Sequence, residues 1–490
     1  MPSRIVPHWP LLLVLLVASG CATTTNYVTG ESQRTAYSWA EQVQLGQQAD
    51  PQIVAQYGLY DDPQLTRYVE QVGQAVLQTS AYTDPNTPAE IRNTPFYFRV
   101  LDSPVVNAFA LPGGYIYVTR GLLAHLDNEA QLAVVLGHEI GHVLGQHAAE
   151  QAASAQLGQL GLLGAAILGE VVLGQGVGQG VLEYGGAAAQ LLFLRYSRDA
   201  ERESDRAGVA YAEFAGYDAA EAATFFRSLQ RISAQAGALP SFLSTHPDPA
   251  EREQTIPQLA AQYDSGTEVG GPEFLGEIEG IVLGADPRQG FTEGDRFYHP
   301  ELRFQFDVPR GWTVNNAAAA VTIAEPNNRA VMEFTFAEGA SAQAAARAFG
   351  QQQGVQVGRQ GAQQLNGIPA YAVEGTANTQ QGQLAFVAYF IEYGGNVYRF
   401  WGLAPAQVYR SYEQAMVRAI RSFAPLRDSQ YLNRQPVRLE VVEAPRTAPF
   451  QSFLQGRPMP PDMDAEDLAI MNQVELNQQV PAGTALKLPD

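Results

Sequence analysis

The residues with the clearest capacity for chemistry are His138-Glu139-Ile140-Gly141-His142. Two imidazoles four positions apart share one face of a helix and can reach a single metal ion. The glutamate between them lies beside that face, placed to take a proton from water without being a ligand itself. The chain has only seven histidines, so their abundance does not account for this pairing. The flanks Val134-Val135-Leu136 and Val143-Leu144 are apolar and Asp127 offers an N-cap, which predicts a buried helix over residues 127–144. Zinc, one ion per chain, is the expected cofactor. A hydrolytic zinc ion needs a third protein ligand and an open position.

The third ligand must be sought downstream. In the extended motif that adds a third histidine six residues after the second, position 148 would be histidine, and here it is Ala148. His147 follows His142 by five residues, which turns it roughly 140° away on a continuous helix. The next histidine after His147 is His246, so a carboxylate is the economical choice. Ser197-Arg198-Asp199-Ala200-Glu201-Arg202-Glu203-Ser204-Asp205 offers several. Glu201 and Asp205 share a helix face, while Glu203 points about 160° from Glu201. Two carboxylates on one face suit one ligand and one acceptor for the second ring N–H of a metal-bound histidine. His246 lies in Ser244-Thr245-His246-Pro247, with Arg252 beyond it. His125, His147 and His299 read as surface or loop residues.

The elements that would position these residues are mostly helical between about residues 36 and 262. Strand-like runs at 96–101 and 115–118 interrupt them, separated by turn signals that include Pro112-Gly113-Gly114. Residues 157–194 are apolar and glycine-rich, but Glu170 and the glycines from Gly174 to Gly180 argue against a membrane span. They read as a helical pair with a glycine-rich bend near the site. A composition shift marks 266–295 as a linker. Residues 296–427 alternate as strands do, and Gly394-Gly395 punctuates a hairpin there.

Composition narrows the partners. The 490 residues are 46% hydrophobic and 16% charged, and 30 basic against 50 acidic residues give a net charge of −20. A phosphate-binding surface needs clustered positive charge, so nucleic acid is excluded as the expected partner, as is a purely electrostatic hold on anionic lipid. One cysteine permits neither an internal disulfide nor a four-cysteine zinc site. That cysteine follows Arg4, the apolar run Leu11 to Val17 and Ala18-Ser19-Gly20. This is the layout of an export signal, too short to span a bilayer.

His-Glu-x-x-His followed by Ser197-Arg198-x-x-Glu201-x-x-x-Asp205 resembles the HtpX and CAAX prenyl protease (gluzincin) family, above all its exported, BepA-like branch. The resemblance covers about residues 45–259 and includes Asn107-Ala108-Phe109-Ala110-Leu111-Pro112-Gly113-Gly114. It implies a mainly helical zincin domain with a small edge sheet, in which His138, His142 and Glu201 bind zinc. Glu139 is then the general base and Asp205 orients a ligand histidine. Tyr115, Ile116, Tyr117 and Val118 form the edge on which a peptide substrate lies. His246 matches a recurrent His-Pro element of the family and is expected at the zinc cleft, on the oxyanion or in the open metal position. The tetratricopeptide period of BepA is absent downstream.

Ala18-Ser19-Gly20-Cys21 resembles a bacterial lipoprotein box, with Cys21 lipidated, and Ala22 resembles the default sorting to the outer membrane. Residues 296–427 resemble the PsbP or Mog1-like α+β fold. Residues 436–490 resemble a degenerate LysM module, which would bring peptidoglycan as a partner. The expected organisation is therefore multidomain α+β: signal 1–20, tether 21–35, zinc protease 36–265, linker 266–295, PsbP/Mog1-like 296–427 and LysM-like 436–490. The expected function is zinc-dependent cleavage of unfolded or misassembled envelope polypeptides in the periplasm, at the inner face of the outer membrane. The competing reading is an assembly factor or chaperone with a latent zinc site.

Overall fold

The computed structural model describes residues 22–161, 196–236, 246, 249–263, 266–379 and 382–490. The signal, Cys21 and all but the first residues of the glycine-rich segment lie outside the described residues.

The N-terminal part of the chain is helical. Strands β1 (Ala22–Thr25) and β2 (Ser32–Thr35) precede helices α1 (Trp39–Tyr57) and α2 (Pro63–Gln78). Three short strands follow: β3 (Tyr97–Leu101), β4 (Ala108–Leu111) and β5 (Tyr115–Thr119). Then come α3 (Glu129–Leu144), α4 (His147–Gly161), α5 (Arg198–Phe214), α6 (Ala222–Ala236), α7 (Pro249–Ala260) and α8 (Gly271–Ile278). Leu65, Val69, Val72 and Val76 form the apolar stripe of α2 and pack against α3. Every residue of α3 from Ala130 to Leu144 is buried, as its apolar flanks require.

Four readings from the sequence need correction here. The small sheet has the order β3-β5-β4, so Tyr115, Ile116, Tyr117 and Val118 lie on its central strand and are all buried. Gly113 and Gly114, with φ of 82° and 94°, fold β5 back beside β4 while β3 pairs with it from the other side. Ala108–Leu111 holds the edge instead. Residues 22–35 are not a loose tether. They pair as an antiparallel hairpin, and the Gln33 side-chain amide donates to the Gly145 carbonyl at 2.8 Å. Asp127 is not the cap of α3, because Asn128 accepts from the Gln131 N–H in that role. The supposed linker contains α8, whose Phe274 and Ile278 are buried in the same core as α3.

The second half of the chain is rich in sheet. Seven antiparallel strands run in the spatial order Val355–Leu365, Ile368–Thr379, Gly382–Tyr393, Asn396–Pro405, Val331–Phe336, Ala320–Ala324, Thr313–Asn316. The apolar run in Gly382–Tyr393 is buried on both sides. Val387, Tyr389 and Ile391 face one core, while Phe386, Ala388 and Phe390 face another. Helix Tyr409–Arg421 covers the first core through Met416 and Ile420, and helix Ala342–Gly350 covers the second through Phe349. No helix among the described residues is long and apolar enough to cross a membrane.

The C-terminal segment is not a freestanding module. Strand Leu439–Glu443 pairs with Ala485–Pro489, and Phe450, Leu468, Met471 and Leu488 join the core that contains Leu132 and Val135 of α3. Lys487 is buried, and its Nζ donates to the Leu126 carbonyl and pairs with Asp127, each at 2.7 Å. Burial lowers the Lys487 pKa, and the Asp127 charge opposes that shift. Lys487→Ala leaves a buried carbonyl unpaired and should cost about 2 kcal/mol, less than breaking a fully buried pair because Asp127 is partly exposed. Thermal melting checks this: the transition that carries the helical domain should move down, whereas an independent module would leave that transition where it was.

Candidate metal centre

The site depends on how closely two helices cross. Gly137 and Gly141 of α3 face Ser204, Ala207 and Gly208 of α5. A Cβ on Gly208 would stand 2.8 Å from the His138 amide nitrogen, and one on Gly137 would stand 2.9 Å from the Gly208 carbonyl oxygen. The two backbones therefore touch, with no side chain between them. The Ser197 hydroxyl caps α5 by accepting from the Ala200 N–H, which starts the helix just before Glu201. Glu201 and Asp205, one turn apart, then meet His138 and His142, also one turn apart.

The donor atoms converge. His138 Nε2 and His142 Nε2 are 2.9 Å apart, and Glu201 places its oxygens 3.3 Å from His142 Nε2 and 3.6 Å from His138 Nε2. His246 Nδ1 lies 3.2 Å from His138 Nε2 and 3.1 Å from Glu201 Oε1. All four residues are buried, and one ligand atom from each lies within 4.8 Å of the others. Four ligands around a tetrahedral zinc, each at about 2.05 Å, would be about 3.3 Å from one another. The observed spacings bracket that value. Three nitrogens and one carboxylate are also a zinc donor set, so the residues present fit the ion.

His138 and His142 are each held through the other ring nitrogen. His138 Nδ1–H donates to Asp205 Oδ1 at 2.9 Å, and the Arg252 guanidinium donates to that same oxygen at 2.5 Å. His142 Nδ1 lies 2.9 Å from His147 Nδ1, and His147 Nε2 lies 3.1 Å from Glu203 Oε1. Asn26 closes this chain, its side-chain amide donating to Glu203 Oε1 at 2.6 Å. With each proton on the nitrogen away from the centre, both Nε2 lone pairs point inward. Burial lowers the pKa of both His138 and His142, which keeps them neutral and able to bind metal.

Glu139 stands apart from this lattice. It is fully buried, and neither carboxylate oxygen has a hydrogen bond of normal geometry among the described residues. Its closest charged neighbour is His246, with Nε2 at 3.5 Å from Oε1. Burial raises the Glu139 pKa to about 7, against the opposing charge of His246 and the nearby Ala110 amide. Glu201 moves the other way. Burial works against its charged form, but His246 and His142 hold its pKa well below the usual carboxylate value.

The structure thus gathers His138, Glu139, His142, Glu201, Asp205 and His246 in one buried place, and leaves Tyr115 to Val118 outside it. Two contributors, His147 and Tyr196, escaped the sequence reading. His147 is buried rather than exposed: Gln146, with φ of 55°, breaks the helix and swings the ring back toward His142. His125 is buried too, its Nδ1 2.7 Å from the Gly121 carbonyl oxygen. Tyr196 stacks on His142 with ring centroids 4.1 Å apart; it lies at the edge of an apolar stretch and gives no motif signal.

Comparison with known proteins agrees with this geometry. Residues 63–260 match the profile of Peptidase family M48. The chain is 30% identical over 227 residues to the beta-barrel assembly-enhancing protease of Escherichia coli (strain K12), covering 46% of this chain and 44% of that one. It is 38% identical over 159 residues to the mitochondrial metalloendopeptidase OMA1 of Arabidopsis thaliana, covering 32% and 30%. The chain therefore spans less than half the length of these curated relatives. A solved structure of cyanobacterial PsbP (CyanoP) from Synechocystis sp. PCC 6803 is similar over 28% of this chain and 95% of that one, at 13% identity and a TM-score of 0.23.

Removing His147 frees the His142 ring to turn and to change tautomer. His147→Ala should weaken zinc binding by about 10- to 100-fold, the usual effect of losing such a partner. Competition with a chelator of known zinc affinity measures this, with melting of the zinc-free protein as the folding control. Unchanged affinity would show that His147 does not position His142.

Proposed function

From the match of residues 63–260 to Peptidase family M48, we propose that the chain is a zinc endopeptidase of that family that cleaves unfolded or misassembled proteins of the cell envelope. The observation that carries this reading is the buried Glu139, outside the hydrogen-bond lattice of the ligands, beside a complete zinc donor set. His138, His142 and Glu201 hold the metal, which when bound supplies Lewis acidity toward a carbonyl and makes water easier to deprotonate. Glu139 takes the proton from the attacking water. A pKa near 7 lets it return that proton to the leaving amine. Asp205, fixed by Arg252, keeps His138 in the tautomer that binds metal.

The substrate seat in this reading is β4, the sheet edge beside Glu139. An extended peptide adds there as a further strand, through backbone hydrogen bonds that tolerate many sequences. That tolerance suits unfolded polypeptide as the substrate class. Lipidation of Cys21, placement at the inner face of the outer membrane, a PsbP/Mog1-like role for residues 296–427 and contact with peptidoglycan through residues 436–490 belong to the same proposal, on the sequence resemblances alone. The sharing of one core by the C-terminal segment and the helical domain makes its first role structural.

A second state is favoured by the position of His246. Its Nδ1 lies among the other donors, so it would serve as a fourth protein ligand to a bound zinc in place of water. That is a resting, latent arrangement, and turnover requires His246 to withdraw.

Two substitutions separate these statements. Glu139→Gln should reduce zinc-dependent cleavage of casein by at least about 1,000-fold while zinc stays bound; fragments appearing at the wild-type rate would remove Glu139 from the mechanism. His246→Ala should lower zinc affinity by about tenfold and raise casein cleavage severalfold. Wild-type values for both would end the latent-state reading.

A further inference from the structure

A cleft of about 800 Å³ separates the helical domain from the sheet-rich one. Its floor is backed by the buried core aromatics Phe297, Phe304, Phe334 and Tyr398, and its exposed rims include Val105 and Phe336. Those two rim residues are 45% and 51% exposed. Among the described residues only four large hydrophobics are at least 45% exposed, and two of the four line this cleft. Phe336 ends its strand and rests on the Tyr398 ring, with centroids 4.9 Å apart.

Three polar residues of the cleft, Arg120, Asp102 and Gln289, pair with one another or with backbone. Arg120 Nε donates to Asp102 Oδ1 at 2.6 Å, its Nη1 donates to the Val282 carbonyl at 2.7 Å, and the Gln289 amide donates to Asp102 Oδ2. The exposed rims at Val105 and Phe336 are apolar, which favours an apolar or aromatic occupant there over a charged one.

The cleft also continues the sheet edge. Ser103, Pro104 and Val105 line it and lead directly into β4. Tyr57, another lining residue, contacts Phe109 of that strand with ring centroids 6.3 Å apart. Thr119 Oγ1 donates to the Val105 carbonyl, which fixes the connection. From Ala110 beside Glu139 to Val105 is five residues, at most about 17 Å of extended chain.

We infer that this interdomain cleft is an exosite for the same polypeptide that lies on β4, taking one or two of its aromatic side chains about four to six residues from the bond being cut. The assignment rests on the endopeptidase reading and gives the sheet-rich domain a part in substrate selection. An unfolded chain with hydrophobic segments engages both places, whereas a short or polar peptide engages only the edge. Burying one exposed aromatic ring is worth roughly a tenfold change in kcat/KM.

Three peptides built around a mapped casein cleavage site test this: a short one of three residues on each side, a long one with aromatic residues four to six positions out, and the same long one with serine there. Zinc-loaded wild-type protein should prefer the long aromatic peptide by about tenfold in kcat/KM. The double variant V105S/F336A should lose that preference while cutting the short and serine peptides at the wild-type rate. Equal cleavage of the two long peptides by wild type, or an equal loss on all three in the variant, overturns the exosite. Binding of the long aromatic peptide to the E139Q protein reads the cleft without turnover. Weaker binding after adding V105S/F336A supports the exosite even if no peptide is cut, while unchanged binding overturns it. Self-association of the protein that the double variant abolishes would assign the apolar rims to a second copy and also overturn it.

Discussion

The backbone contact between α3 and α5 is the constraint on which the rest of the site depends. Helices normally pack about 8–10 Å apart, with side chains filling the space between them. Here Gly137, Gly141 and Gly208 remove those side chains, and the gain is reach. Glutamate and aspartate are short, and only a close crossing lets Glu201 and Asp205 span from α5 to the imidazoles of α3. A methyl group at Gly208 would press on the His138 amide itself, shifting the ligand rather than merely loosening a core. The same closeness excludes water from the donor atoms. Their titration is consequently governed by burial and by one another.

Each end of α3 is pinned by residues far away in sequence. At its start, Asn128 caps the helix, the Gln473 amide donates to the His125 carbonyl at 3.0 Å and Lys487 holds Leu126 and Asp127. At its end, the Tyr27 amide donates to the Leu144 carbonyl at 3.3 Å, Gln33 binds Gly145, and the His147–Glu203–Asn26 chain holds the ring of His142. A metal centre tolerates little displacement of its ligands, since bond lengths are fixed to within about 0.2 Å. The N-terminal hairpin and the C-terminal strands clamp the helix that carries two of those ligands. This explains why segments without chemistry of their own are built into the catalytic core.

The chemistry was legible in the sequence because it is encoded at helical spacing. His138, Glu139 and His142 lie within five residues, and Glu201 and Asp205 within another five, so a period of 3.6 suffices to place each group on a face. What failed depended on tertiary pairing or on unsignalled backbone. Gln146 adopts a left-handed conformation normally left to glycine or asparagine, and nothing in its type predicts that it would turn His147 inward. The strand character of Tyr115–Thr119 was readable, but its central place in the sheet depends on partners on both sides. Residues 271–278 looked like linker because Gly and Pro dominate their surroundings; the buried Phe274 and Ile278 span only one helical turn, too little for a periodic signal.

Glu139 and Glu201 show how one kind of side chain takes two roles in a single cavity. Both are buried, and burial alone would raise the pKa of each. Glu201 lies in hydrogen-bonding contact with His142 and His246, and that company holds it ionised as a ligand must be. Glu139 faces apolar β4 and the far side of His246 at 3.5 Å, with too little partnership to offset its desolvation. The result is a carboxylate whose proton affinity sits near neutrality beside another that stays charged, and such a split marks the group that exchanges protons and the group that binds. The split follows from a single step along the helix: His138 and His142 point at the metal, and Glu139, next to His138, does not.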